Sequence, residues 1–261
     1  MTWVFGNANI LGSAICVADI QVTLQDGRAF DCVQKLHELD RNVLAGFAGD
    51  VLTGFAMLVS LNRYLLGQDA PIEIERVFDT FQAISRNVFA QVPGANQAQG
   101  SEILIAGASA VDSAMYGSRA QVARFASPDF NAEIVPRGEW GSIGSGSDVA
   151  QYRTELEAVT GDDVRALMPL EANSPGGFAN AMVITIVDNV FHMPAVSGIS
   201  KHFHVGVVFA HGCNIRTSNR TYFPTDGPPQ HIEMPEVART WAELQGLLER
   251  QLGRAITVAR A

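Results

Sequence analysis

The order of apolar patterns predicts an α+β fold: a four-layer αββα sandwich in which two stacked sheets are covered on both outer faces by helix pairs, with an extra C-terminal segment. Three observations carry this. Strand-like runs fill the first fifty residues, helical spacing takes over from Asp50, strand-like runs return from Glu102, and helical stretches follow them. Strands and helices gathered into separate runs pack as layers instead of alternating βαβ units. With 47% apolar and 17% charged residues, the chain has the material for a substantial core. No Pro/Ser-rich linker or charge block divides its 261 residues, so one domain is expected over 2–217. Residues 218–261 are read as a C-terminal extension whose terminal helix packs on that same domain.

Taken in order, Trp3–Phe5 and Ala14–Ala18 read as strands, with Gly6–Asn9 supplying turn residues between them. Gln21–Leu24 and Val43–Phe47 are further strands. From Asp50 onward Val51, Phe55, Leu58, Val59, Asn62 and Leu65 follow amphipathic helical spacing. Gly67-Gln68-Asp69 ends this helix, and Asp69 caps a second one near Pro71, with Ile74, Val77, Phe78, Phe81, Ile84 and Val88 on one side. Residues 95–100 read as a polar loop. Glu102–Ala108, Ser113–Tyr116, Gln121–Ala126 and Glu139–Gly146 read as strands, the last running into a Gly/Ser turn. Asp148–Val159, Asp162–Met168 and a longer stretch from Ser174-Pro175 to about Phe191 are helical in pattern. Ser197–Ala210 and Cys213–Thr217 are strands, Ser218–Pro235 is polar, and Glu236–Leu252 is the terminal helix, with Trp241, Leu244, Leu247 and Leu248 on its apolar face.

The net charge of −9 argues against nucleic acid or an anionic membrane as partner, because both demand basic patches. Three widely spaced cysteines, Cys16, Cys32 and Cys213, lack metal-type spacing and suit a reducing compartment, so a cytoplasmic protein is expected. The apolar opening has no positive n-region, and Gly6, Asn7, Asn9 and Gly12 interrupt it, which argues against a signal peptide.

Candidate chemistry begins at Met1-Thr2. Removal of Met1 would leave Thr2 with a hydroxyl and a free α-amine on one residue, and such an amine can serve as the base that activates the hydroxyl. Met-Thr alone is a common opening. Its weight comes from Asp19 inside an apolar run and from Lys35 ahead of Asn42–Gly49. Asp19 and Lys35 also fit a structural ion pair, although a buried pair is costly unless something uses it. Gly46 and Gly49 also fit a plain strand end; the free N–H groups of the helix that follows suit an oxyanion in either case. Gly144–Asp148 suggests a phosphate loop, but the lysine and spacing of one are missing. His202 and His204 share a strand face with His211 nearby, yet no acidic or cysteine partner stands at ligand spacing, so they read as structural. Asn219-Arg220-Thr221 fits a glycosylation sequon that a cytoplasmic protein would not use.

Val17–Leu24, Lys35–Leu39, Leu44–Gly49 and Ile143–Ser147, with a weaker match at Val196–Gly198 running into the strand that contains His202-Phe203-His204, occur in an order that resembles the proteasome β-subunit family of N-terminal-nucleophile hydrolases, HslV-like members included. These islands span roughly residues 2–210. The resemblance implies a self-compartmentalising threonine peptidase without metal or organic cofactor, built as a ring or double ring and acting on peptides or unfolded proteins. It leaves room for an ATP-dependent unfoldase as partner. It assigns Thr2 as nucleophile and Lys35 as the charge that lowers the proton affinity of the amine and hydroxyl. Asp19 becomes the holder of Lys35, and the Gly49 N–H becomes an oxyanion donor, which in such sites contributes about 3 kcal/mol. Ser145 would orient the terminal amine and a water, with Ser197 as a second hydroxyl.

Three departures from the family pattern bear on activity. The Thr2–Asp19 interval is one residue longer, which predicts an insertion in the Gly6–Leu11 turn; within a strand it would move every later side chain to the other face. Pro194 stands where many members carry aspartate, and Trp3 is bulky beside a substrate cleft. They motivate two alternatives, a catalytically inactive ring-forming scaffold and a small-molecule amidase of the same nucleophile class.

Overall fold

The computed structural model describes residues 2–9, 12–68, 72–110, 118–158, 196–222 and 227–253. The elements are strands β1 (Val4–Ala8), β2 (Ala14–Asp19), β3 (Gln21–Thr23), β4 (Ala29–Asp31), β5 (Leu36–Asp40) and β6 (Val43–Gly49), then helices α1 (Val51–Leu66), α2 (Ile74–Gln91) and α3 (Gly94–Gln99). Strands β7 (Ser101–Ala110), β8 (Ser118–Ala126), β9 (Glu133–Val135) and β10 (Trp140–Ile143) lead into a 3-10 turn at Ser145–Asp148 and helix α4 (Ala150–Ala158). Strands β11 (Phe203–Phe209), β12 (Gly212–Arg216), β13 (Arg220–Tyr222) and β14 (Gln230–Ile232) precede helix α5 (Trp241–Leu252). The expected α+β class is observed: among the described residues every strand pair is antiparallel, and helices pack on the sheets.

Two five-stranded sheets form the centre, ordered β10-β1-β2-β11-β12 and β5-β6-β7-β8-β9. Period-two alternation decides what each strand faces. In β6, Leu44 and Ala48 enter the core between the sheets with Val4, Cys16, Leu104 and Val122. Val43, Ala45 and Phe47 face the other way, against Phe55, Leu58 and Leu61 of α1 and Phe78 and Phe81 of α2. On the outer side of the first sheet, Trp3, Phe5, Val17 and Phe203 meet Tyr152 and Leu156 of α4.

Several sequence expectations need correction. Gly6, Asn7 and Ala8 belong to β1 and not to a turn. A Cβ on Gly6 would lie 2.8 Å from the Ile15 carbonyl oxygen and 3.0 Å from Leu104, so glycine is present for close sheet packing. The Asn7 amide donates to the Glu139 carbonyl instead of shaping a turn. Residues 95–100 are largely helical. β4 and β5 were not anticipated, and β11 begins only at Phe203 because residues 196–202 form turns around the site. The polar stretch after Ser218 holds the β13–β14 hairpin. The terminal helix starts at Trp241 behind a Thr240 cap, while Ala238, still extended, bridges in parallel to Val33. Asp69–Pro71, Ser113–Tyr116, Asp162–Met168, Ser174–Phe191 and Pro194 lie outside the described residues.

Among the described residues no helix is long and apolar enough to cross a membrane. Leu244, Leu247 and Leu248 of α5 are buried in the same cluster as α1 and α2, so the C-terminal segment shares the core. Leu247→Ala should lower the unfolding free energy by about 2–5 kcal/mol in a denaturant titration with one cooperative transition. A separate early transition for this segment would contradict a shared core.

Candidate active site

Five of the six residues singled out from the sequence converge where the first sheet meets the start of β5. The register of β1 with β2 runs unbroken from Val4–Ala18 to Ala8–Ala14. No register slip therefore falls within the paired residues between Thr2 and Asp19, and past β1 the Asn9 N–H donates to the Ser13 carbonyl at 2.9 Å. Asp19 keeps its face. It closes a reciprocal pair with Trp3: its N–H donates to the Trp3 carbonyl at 3.0 Å, and its Oδ1 accepts from the Trp3 N–H at 2.9 Å.

Lys35 Nζ donates to Asp19 Oδ1 at 2.9 Å and to Thr2 Oγ1 at 2.9 Å. Lys35 and Asp19 are 1% and 0% exposed, so the ion pair is dry. Burial pushes the Lys35 ammonium below the ordinary lysine value, against the opposing pull of Asp19. Asp19 is well satisfied, since its Oδ2 also accepts from the Gln21 N–H at 3.1 Å and the Ser200 N–H at 3.3 Å.

Ser145 reaches Thr2 through a glycine clasp. Gly144 has φ +79°, and a Cβ there would lie 2.4 Å from the Thr2 carbonyl oxygen; one on Gly146 would lie 2.3 Å from Trp3. Only glycine lets this turn press onto residues 2 and 3. The Gly146 N–H donates to the Thr2 carbonyl at 3.0 Å, and the Thr2 N–H donates to Ser145 Oγ at 3.1 Å. The motif that suggested a phosphate loop is a brace for the N-terminal strand.

Gly49 ends β6, with φ +88° and Gly100 close behind it. The Phe47 N–H donates to the Lys35 carbonyl at 3.3 Å. Strand alternation therefore sets the Gly49 N–H on that same edge, beyond the start of β5. A Cβ on Gly144 would lie 3.0 Å from the Ala48 side chain as well as against Thr2, which places the end of β6 beside Thr2. Ser197 is the exception. It lies exposed in a turn, and it is Ser200, three residues on, whose backbone touches Asp19.

Trp3 is held by its neighbours. Its indole is buried, stacks on Tyr152 at 4.4 Å between ring centroids, and donates Nε1–H to Ser142 Oγ at 2.9 Å. Cys32 does not compete as a nucleophile, because burial pushes its thiol up to about 12 and Asp31 adds to the effect. His37 is pushed down to about 4 by burial and stays neutral beside the Gln34 carbonyl. Among the described residues no group of three or more His, Cys, Asp or Glu side chains is arranged to hold a metal ion. His202 meets Asp31 instead, at 2.7 Å.

Sequence reasoning missed Gln21, Asp31 and Ser200. Their only sequence signal was a set of polar residues at the ends of short strands.

Asp19→Asn should cost about 3–5 kcal/mol, because it leaves a buried ammonium without its counter-charge. The deficit should shrink as pH rises. Lys35 in the folded variant binds its proton more weakly than in the unfolded chain, so the unfolded state holds more protons and alkali favours folding. Denaturant titrations from neutral to alkaline pH check this; a deficit that grows with pH would contradict it. Neither a scan against protein-family models nor a search of curated proteins finds a match for this chain.

Proposed function

We propose that the chain is an N-terminal threonine hydrolase with the layered architecture of the N-terminal-nucleophile class, cleaving peptide bonds after removal of Met1. The observation that carries this reading is the double hydrogen bond of Lys35 Nζ, to Thr2 Oγ1 and to Asp19 Oδ1, in a dry setting. A charge pair so deeply buried contributes little net stability. A donor aimed at a hydroxyl does have a chemical use: it favours the alkoxide that forms as the proton leaves.

The steps follow from the groups present. Once Met1 is gone, the nitrogen now 3.1 Å from Ser145 Oγ becomes an amine. It takes the Thr2 hydroxyl proton, directly or through a water, while the Lys35 ammonium stabilises the oxygen. Thr2 Oγ1 bonds to the substrate carbonyl carbon, and the oxyanion receives the Gly49 N–H. Collapse breaks the C–N bond, and the departing amine takes up the proton. Water then hydrolyses the ester and restores the hydroxyl. Every proton is accounted for without a cofactor.

Two of the departures that favoured an inactive scaffold lose their force. β1 and β2 pair without a register slip, and Trp3 is packed under α4. Ring assembly, peptide or unfolded-protein substrates and an unfoldase partner rest on the family resemblance alone.

Thr2→Ala should cut cleavage of short fluorogenic peptides by about 10^4-fold or more, leaving sedimentation of the assembly unchanged. Peptide cleavage that survives in this variant would end the proposal. Cleavage of small amides but not peptides by the native protein would favour the amidase reading.

A further inference from the structure

Behind the Lys35–Asp19 pair lies a second carboxylate that the proposed chemistry does not use. Asp31, at the end of β4, is half-buried and held from three sides. Gln21 Nε2 donates to its Oδ1 at 3.0 Å, Ser200 Oγ donates to its Oδ2 at 2.7 Å, and His202 Nδ1 lies 2.7 Å from the same Oδ2. Burial opposes the charge on Asp31, but these hydrogen bonds outweigh it, and its carboxyl stays below the ordinary value.

The connection to the site is double. Gln21 and Ser200 each grip Asp31 with a side chain and Asp19 Oδ2 with a backbone N–H, at 3.1 Å and 3.3 Å. The two bridges arrive from different parts of the chain. Gln21 stands opposite Asp31 in the β3–β4 hairpin. Ser200 comes from the turn before β11, where the His202 N–H donates to Ser200 Oγ at 2.8 Å. Asp31 thus adds a side-chain link between the β3–β4 hairpin and the turn before β11, next to the β2–β11 pairing in which Phe203 stands opposite Asp19.

Resting on the Thr2 reading, we infer that Asp31 and His202 are positioning residues for the nucleophile, acting through Gln21 and Ser200 on Asp19 and so on Lys35. They touch neither Thr2 nor a substrate. With Asp31 released, the two N–H donors lose their common anchor, Asp19 gains freedom on its Oδ2 side, and Lys35 Nζ is no longer held on the hydroxyl. A displacement of that order at a reacting group slows the chemical step and not the binding of substrate.

The test uses the full-length protein and saturation kinetics of covalent labelling by a peptide epoxyketone, which separates maximal rate from half-saturating concentration. Asp31→Asn and Ser200→Ala should lower the maximal rate about 10-fold while half-saturation stays within about twofold. Ser200→Ala keeps the N–H to Asp19 and removes the hydroxyl that joins Asp31 and the His202 N–H. His202→Ala should match them, and His202→Asn, whose amide can replace Nδ1 as donor, should recover most of the rate. Should Asp31→Asn fail to fold by circular dichroism, the Ser200 and His202 variants decide. Native-like maximal rates in those variants, or an effect confined to half-saturation, overturn the inference and leave the Thr2 reading standing. A native protein that never labels at Thr2 sinks both.

Discussion

The buried contact of Lys35 with Asp19 and Thr2 is the interaction on which the arrangement depends. An ammonium at 1% exposure carries a large desolvation cost, offset only if every donor direction is well met. Asp19 meets one and Thr2 Oγ1 another, both at 2.9 Å. Asp19 can fill this role because it lies flush in β2 with three backbone N–H groups on its carboxylate, from Trp3, Gln21 and Ser200. Thr2, Lys35 and Asp19 form one electrostatic unit, and altering any member strands the others.

The rest of the fold keeps that unit in register. The β1–β2 pairing, in unbroken register, sets the spacing between Thr2 and Asp19. The β5–β6 hairpin brings Lys35 and Gly49 together at its open end. Gly144 and Gly146 bring a turn against residues 2 and 3 that no larger residue permits. The C-terminal segment adds its own support: Ala238 exchanges backbone hydrogen bonds with Cys32 and Gln34, immediately before Lys35. An extension with no evident role in the sequence thus borders the strand that supplies the site's cation.

Much of this was legible in the residues. The period change at Asp50 marked α1, and Asp50 does cap it, accepting from the Thr53 N–H. Thr2, Asp19, Lys35 and Ser145 could be proposed from the order of the motifs that carry the family resemblance, even though the strand that follows Lys35 has no clear local pattern. Gly6 and Asn7 misled because glycine and asparagine serve turns by backbone freedom and sheets by small size or side-chain bonding, and sequence does not say which applies. Ser197 stands out by resemblance while Ser200 does not, and in an irregular loop no periodicity tells which hydroxyl faces inward. Asp31 and His202 were beyond reach because their partnership spans 171 positions and follows from tertiary packing alone.

The central claim is that Thr2 is a nucleophile with its own amine as base. Its most direct measurement is intact mass and peptide mapping of the purified protein before and after treatment with a peptide epoxyketone. That warhead closes a ring on a hydroxyl and an α-amine of the same residue. The account predicts loss of Met1 and one adduct, mapped to Thr2. Retained Met1 with no adduct would contradict it, because Thr2 would then have no amine to offer.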